Sequence, residues 1–161
     1  MASRPVDLLI AYRVIKILVT PFNKQPAYKM GIIDDKGKVL KKYRTLTTSG
    51  EKQSYTMLHR FVFNLKRILA KAGIRGALGS FAVATALLLR ENKEYFKYKD
   101  TIESTIITYL KENNLYEEIL NESREIPEVN TDDKLFCTCF GVDVFERDGE
   151  LVSEFEYAQT L

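Results

Sequence analysis

Apolar residues return at intervals of three and four in the opening stretch, where Leu8, Ile10, Ala11, Val14, Ile17 and Leu18 lie between Asp7 and Pro21. That spacing predicts a helix over residues 7–21, capped by Asp7 and stopped by Pro21. The frequency of Val, Ile and Tyr leaves a strand as the alternative. A clearer period runs from Gly50 to Ala72, where Leu58, Phe61, Val62, Leu65, Leu69 and Ala72 make one stripe. Thr48 and Glu51 supply a capping box for this helix and Gly73 ends it. Lys52, Arg60, Lys66, Arg67 and Lys71 fall on its other faces, which predicts an amphipathic helix with a basic outer side.

Between these helices the pattern shortens. Met30, Ile32 and Ile33 precede Asp34-Asp35-Lys36-Gly37, and Val39 and Leu40 follow, so Tyr28 to Tyr43 reads as a hairpin whose turn uses a positive φ at Gly37. The glycine-punctuated connector from Gly73 to Ser80 leads into a largely buried helix ending near Glu91. A further helix is expected from Asp100, with Glu103 completing a second capping pattern and Ile102, Ile106, Ile107 and Leu110 facing inward. A short helix over Tyr116 to Leu120 follows Asn113-Asn114. Residues 135–146 and 151–157 alternate like strands around Arg147-Asp148-Gly149-Glu150, and Asp-Gly is a strong hairpin signal.

These elements define an α+β chain, with helices packed against two antiparallel β-hairpins or one small mixed sheet. Polar residues 122–134, with Pro127 and no apolar period, read as a linker or exposed loop. They separate a basic helix and hairpin domain, 1–121, from an acidic C-terminal hairpin, 135–161, that packs on the same domain.

Composition changes this picture chiefly through charge. The net charge of +2 over 161 residues conceals +12 in residues 1–75 and −10 in residues 114–161. Apolar residues at 45% suffice for a real core and exclude a wholly disordered chain. The longest apolar stretch, Ala77 to Leu89, has 13 residues, short of the roughly 20 that span a bilayer. Met1 to Val6 lacks the layout of an export signal, so no membrane partner is expected and a cytoplasmic, unsecreted chain is.

Candidate chemistry is sparse. His59 has no nucleophile and orienting carboxylate at a telling spacing. Cys137 and Cys139 are separated by one residue, which suits neither a disulfide framework nor a zinc site; they read as small apolar groups on one strand face. The thirteen acidic groups after residue 113 make any carboxylate pair easy to find by accident, and Asp132, Asp133 and Asp143 are not read as a cation site. Gly73, Gly76 and Gly79 match neither phosphate-loop pattern. The expectation is therefore no catalytic residue, no cofactor and no metal. What stands out are surfaces: Lys36, Lys38, Lys41, Lys42, Arg44, Arg60, Lys66, Arg67 and Lys71 for DNA or an acidic partner, and Asp143, Glu146, Glu154 and Glu156 for a basic one.

The segments YRVIKILVTPF, KMGIIDDKGKVLKK and SGEKQSYTMLHRFVFNLKRIL resemble, in overall pattern over roughly the first 90 residues, small head-associated proteins of tailed bacteriophages. These are the prohead core and internal virion proteins. The resemblance implies a non-enzymatic virion or capsid-assembly protein that acts through protein–protein contacts, with other capsid proteins or its own copies as partners. It would sit in the host cytoplasm during assembly and then in the virion. It also directs attention to Leu120-Asn121-Glu122-Ser123, which fits the pattern that prohead proteases of contractile-tailed phages favour. Cleavage after Glu122 would remove a segment of net charge −7. The alternative is a nucleic-acid-binding accessory or regulatory protein using the basic half. Association between the basic and acidic surfaces would weaken with added salt.

Overall fold

The computed structural model describes residues 5–71, 77–117, 131–154 and 156. Among them are six α-helices and one three-stranded antiparallel sheet, an α+β arrangement. The chain divides between Arg67 and Ile68 into two compact units. The division falls inside the long basic helix. Residues 122–130 of the polar segment 122–134 lie outside the described residues, and Lys134 already begins a strand. No helix of the described residues is long and apolar enough to cross a membrane.

In the first unit, α1 (Pro5–Val19) is a helix as its period predicts, beginning on a proline whose fixed φ suits a first turn. The inward face differs from the expected one: Ile10, Val14, Ile17 and Leu18 are buried together with Asp7, which lies in the first turn of the helix. Leu8, assigned to the core stripe by spacing, is 60% exposed.

The segment expected to be a hairpin from Tyr28 to Tyr43 keeps only its turn. Tyr28 belongs to α2 (Pro26–Lys29), and pairing is reduced to one bridge between Ile33 and Val39. Asp34 explains why the turn survives, because its Oδ1 accepts from the N–H groups of Lys36 at 2.9 Å and Lys38 at 2.8 Å. Ladder pairing stops there because the Ile32 carbonyl accepts from both Leu40 and Lys41, which bends the chain away.

The helix expected from Gly50 to Ala72 is two helices, α3 (Ser49–Ser54) and α4 (Met57–Lys71). Thr48 and Glu51 form the capping box of α3 as the sequence indicates. The break follows from a second cap: Thr56 Oγ1 accepts from the His59 N–H at 3.3 Å, and His59 Nδ1 accepts from the Thr56 N–H at 3.4 Å. Thr56 and His59 thus reproduce capping-box reciprocity with an imidazole in place of a carboxylate.

The second unit holds α5 (Ala77–Glu91), α6 (Lys99–Glu112) and the strands β1 (Lys134–Cys139), β2 (Val142–Arg147) and β3 (Glu150–Ser153). The stretch 135–146 is two strands, not one. Phe140 and Gly141, at φ 54° and 72°, turn the chain so that Cys139 pairs with Val142. Asp148 and Gly149 do the same at φ 52° and 82°, and positive φ at both central residues is the turn that matches strand twist. Cys137, Cys139, Val142, Val144, Leu151 and Ser153 share the buried face, against which α5 packs.

The capping pattern proposed for Asp100 and Glu103 does not form. Helix α6 opens after Tyr98 with no side-chain cap, and Glu103 instead accepts from the Phe140 N–H at 3.1 Å and pairs with Lys99 at 3.1 Å. The carboxylate ties the helix to the β1–β2 turn. Of the short helix expected over 116–120, Tyr116 and Glu117 are helical and the rest lies outside the described residues.

Candidate contact surfaces

Of the nine cationic residues singled out by the sequence, all but Lys71 separate into two groups. Lys36, Lys38, Lys41, Lys42 and Arg44 are exposed on a loop that the Asp34 turn holds in shape. Lys41 lies 3.7 Å from Glu51, an ion pair too exposed on the lysine side to be worth much. The loop therefore presents a compact cluster of positive charge on an ordered backbone.

Arg60, Lys66 and Arg67 have internal partners. The Arg60 guanidinium lies 4.5 Å from the centre of the Tyr43 ring. Lys66 Nζ donates to the carbonyls of Ile17, at 3.3 Å, and Thr20, and lies 4.3 Å from the centre of the Phe22 ring. Gln25 Nε2 donates to the same two carbonyls, so a lysine and a buried glutamine together satisfy the end of α1. Burial pushes the Lys66 ammonium below its ordinary pKa. Arg67 donates to the Gly37 carbonyl at 2.6 Å, and its own pKa is lowered by burial. The side chain of Lys71 lies outside the described residues.

Phe63 is the reason this side of α4 is covered. It sits off the apolar stripe that the period identifies, yet it is fully buried, with ring contacts to Phe22, Tyr55 and His59. Phe22 also lies against Gly37 so closely that a Cβ there would overlap its ring. Gly37 is required twice, by that approach and by its φ of 83°. Gly37, Phe22, Phe63 and Arg67 together clamp the basic loop to α4. An aromatic off the main stripe, flanked by cations, was the signal in the sequence that this face had something to meet.

The acidic set is likewise divided. Asp143 Oδ1 accepts from Thr138 Oγ1 at 2.7 Å, while the Asp143 N–H donates to Glu154 Oε1 at 3.3 Å. Desolvation, followed by the neighbouring Asp143 charge, holds Glu154 above the ordinary carboxylate range. Glu146 belongs to the opposite sheet face, paired with Lys134 and Leu151 in register. Glu156 is exposed, and its carboxyl is raised by desolvation and by Glu150. Asp143 and Glu154 are thus brought together, and Glu146 is not brought to them.

His59 is partly buried, and desolvation, with Arg13 adding to it, keeps its pKa below the ordinary imidazole value. Its ring is occupied by the Thr56 cap. Cys137 and Cys139 have their sulfurs 2.9 Å apart on the buried face of β1. Their hydrogen bond lowers the Cys137 thiol and raises the Cys139 thiol. Asp133 pairs with Arg147 at 3.7 Å. Among the described residues no group of three or more His, Cys, Asp or Glu could hold a metal ion. Gly79 is buried inside α5, and Gly73 and Gly76 lie outside the described residues, as do Leu120, Glu122 and Ser123 of the proposed processing site.

A surface that spacing alone missed lies on α1. Leu8, Leu9, Tyr12 and Val19 are 49–61% exposed and stand opposite the buried residues of the same helix. A helix apolar on both sides is ordinarily covered on both. The expected stripe concealed this because Leu8 and Ile10 fit one apolar count but point to different sides.

No family model, curated protein or solved structure matches this chain.

Proposed function

We propose that this protein is a non-enzymatic virion or capsid-assembly protein of a tailed bacteriophage, acting through protein–protein contacts. The observation that carries the contact reading is the outer face of α1, where Leu8, Leu9, Tyr12 and Val19 meet solvent from an ordered helix. Exposed apolar residues on one side of an otherwise packed element mark an interaction surface. The phage assignment comes from the resemblance of residues 11–67 in pattern to head-associated proteins. On this reading the chain works in the host cytoplasm and ends in the particle.

The contacts are apolar in their centre and charged at their edge, which modifies the expectation of purely electrostatic association. Asp143 and Glu154 engage Thr138 and each other, so they contribute less to an outer acidic surface than their charges suggest. Mass spectrometry of proheads and mature particles of the phage encoding the chain tests the assignment. The chain should be recovered at many copies per particle in at least one of the two. Absence from both overturns it. The same spectra read the processing site, since cleavage after Glu122 would leave residues 1–122 in mature particles.

One observation favours a second reading. Five exposed cations between Lys36 and Arg44, on a loop held by the Asp34 turn, suit a phosphate backbone. The substitutions Lys36→Ala, Lys38→Ala, Lys42→Ala and Arg44→Ala together should then weaken duplex DNA binding and flatten its salt dependence. No affinity in about 50 mM salt, where nonspecific binding is strong, removes this reading.

A further inference from the structure

Cys137 and Cys139 are the chain's two cysteines, and β1 brings their sulfurs together. We propose that they form a reversible modification site, a dithiol that a low-molecular-weight disulfide such as oxidised glutathione converts to an intramolecular disulfide. Alternate residues of a strand share a face, and a step of two residues sets their Cα atoms about 6.6 Å apart. That lies inside the span of about 4.4–6.8 Å that a disulfide bridges. The sulfurs are 2.9 Å apart, so closing to a bond of about 2.05 Å moves them by under about 1 Å. Two features of β1 hold the pair in this position. Phe136 is skipped in the ladder, because Leu135 pairs with Phe145 and Cys137 with Val144. This bulge re-aims the strand, so that Leu135 is 50% exposed while Cys137 and Cys139 face inward. After Cys139 the chain turns at Phe140, whose N–H donates to Glu103, itself paired with Lys99. The dithiol thus sits on an edge strand between a bulge and an anchored turn.

The two thiols are unequal, which sets the order of events. Cys137 is 8% exposed and Cys139 fully buried. The hydrogen bond between them favours the Cys137 thiolate and disfavours that of Cys139. The Lys99 ammonium adds to the first effect, against desolvation, Glu103 and Asp143. The thiolate is the attacking form, so Cys137 attacks. Its sulfur bonds to one sulfur of the incoming disulfide, whose S–S bond breaks and releases a thiolate that takes up the proton Cys137 gave up. Cys139 then gives up its own proton and attacks the Cys137 sulfur of the mixed disulfide, expelling the second small thiol. The two thiols of the chain are oxidised to one disulfide, and the small disulfide is reduced to two thiols.

Equilibration of the full chain with mixtures of reduced and oxidised glutathione, in buffer and in concentrated urea, tests the proposal. Samples are quenched with acid, alkylated and read by intact mass. Because the fold holds the sulfurs together, the equilibrium constant for the intramolecular disulfide should be larger in the folded than in the unfolded chain by about tenfold or more. A smaller ratio overturns the proposal. A folded chain that stops at the glutathione adduct, or that links to a second chain, overturns it as well. Two substitutions read the order. Cys139→Ser should accumulate the glutathione adduct at Cys137, whereas Cys137→Ser should react more slowly by about tenfold or more. Equal rates overturn Cys137 as the attacking thiol. The comparison of folded and unfolded parent chain needs no substitution, so it decides the proposal even where a serine variant folds poorly. None of these outcomes bears on recovery of the chain from particles, which separately tests the functional reading.

Discussion

Lys36, Lys38, Lys42 and Arg44 end in solvent, whereas Lys66 and Arg67, equally prominent in the sequence, end on backbone carbonyls of Ile17, Thr20 and Gly37. The two stretches have the same chemistry and opposite employment. The apolar residues between the loop cations, Val39, Leu40 and Tyr43, are themselves exposed, so the charges beside them remain hydrated. The α4 residues flank Phe63, whose ring is buried against Phe22, Tyr55 and His59, and the adjacent cations are drawn to carbonyls that a helix end and a turn leave without partners. Density of charge along a chain therefore identifies a candidate surface only when the apolar residues between the charges also face outward.

The largest way to break this contrast is at the clamp that joins the two stretches. Gly37→Val should cost about 3 kcal/mol, combining strain at positive φ with overlap on the Phe22 ring, and denaturant unfolding should show the loss. Removing the internal cation is next: Arg67→Ala leaves the Gly37 carbonyl without its charged donor and should cost about 2 kcal/mol. The combined alanine substitutions at Lys36, Lys38, Lys42 and Arg44 should change stability by no more than about 0.5 kcal/mol. If the loop variant proves the more destabilised, the contrast is reversed.

Smaller effects sharpen the account of α4. Thr56→Ala removes the cap that separates α4 from α3 and should lower stability by about 1 kcal/mol. His59 gives a pH signature. Its folded pKa lies below that of the unfolded imidazole, near about 6.5, because burial disfavours the charged ring. The unfolded chain thus binds the proton first, and stability present above that pH is lost as the pH falls through it toward the folded value. Melting temperatures measured from pH 7.5 to 5 should decline more steeply for the parent chain than for His59→Gln.

How much of this was legible varies by element. The Thr48–Glu51 box, the Asp34–Gly37 turn and the Asp148–Gly149 turn are written in local residue choice and form as read. The break before Met57 was harder to see because Thr56 is partnered by His59 instead of Glu or Gln. The Phe140–Gly141 turn escaped because Phe is rare at positive φ; Glu103, distant in sequence, anchors that backbone. The same carboxylate was unavailable to cap α6. The basic loop was found as a surface, and the outer face of α1 was missed because an apolar count does not distinguish two sides of one helix.

Amine labelling of the native chain, read lysine by lysine by mass spectrometry, tests the division of cations most directly. Lys36, Lys38 and Lys42 should react quickly, and Lys66, held by two carbonyls and covered by the Phe22 ring, should react only when the chain is unfolded. Labelling of Lys66 at the rate of Lys42 in the folded protein would contradict the account.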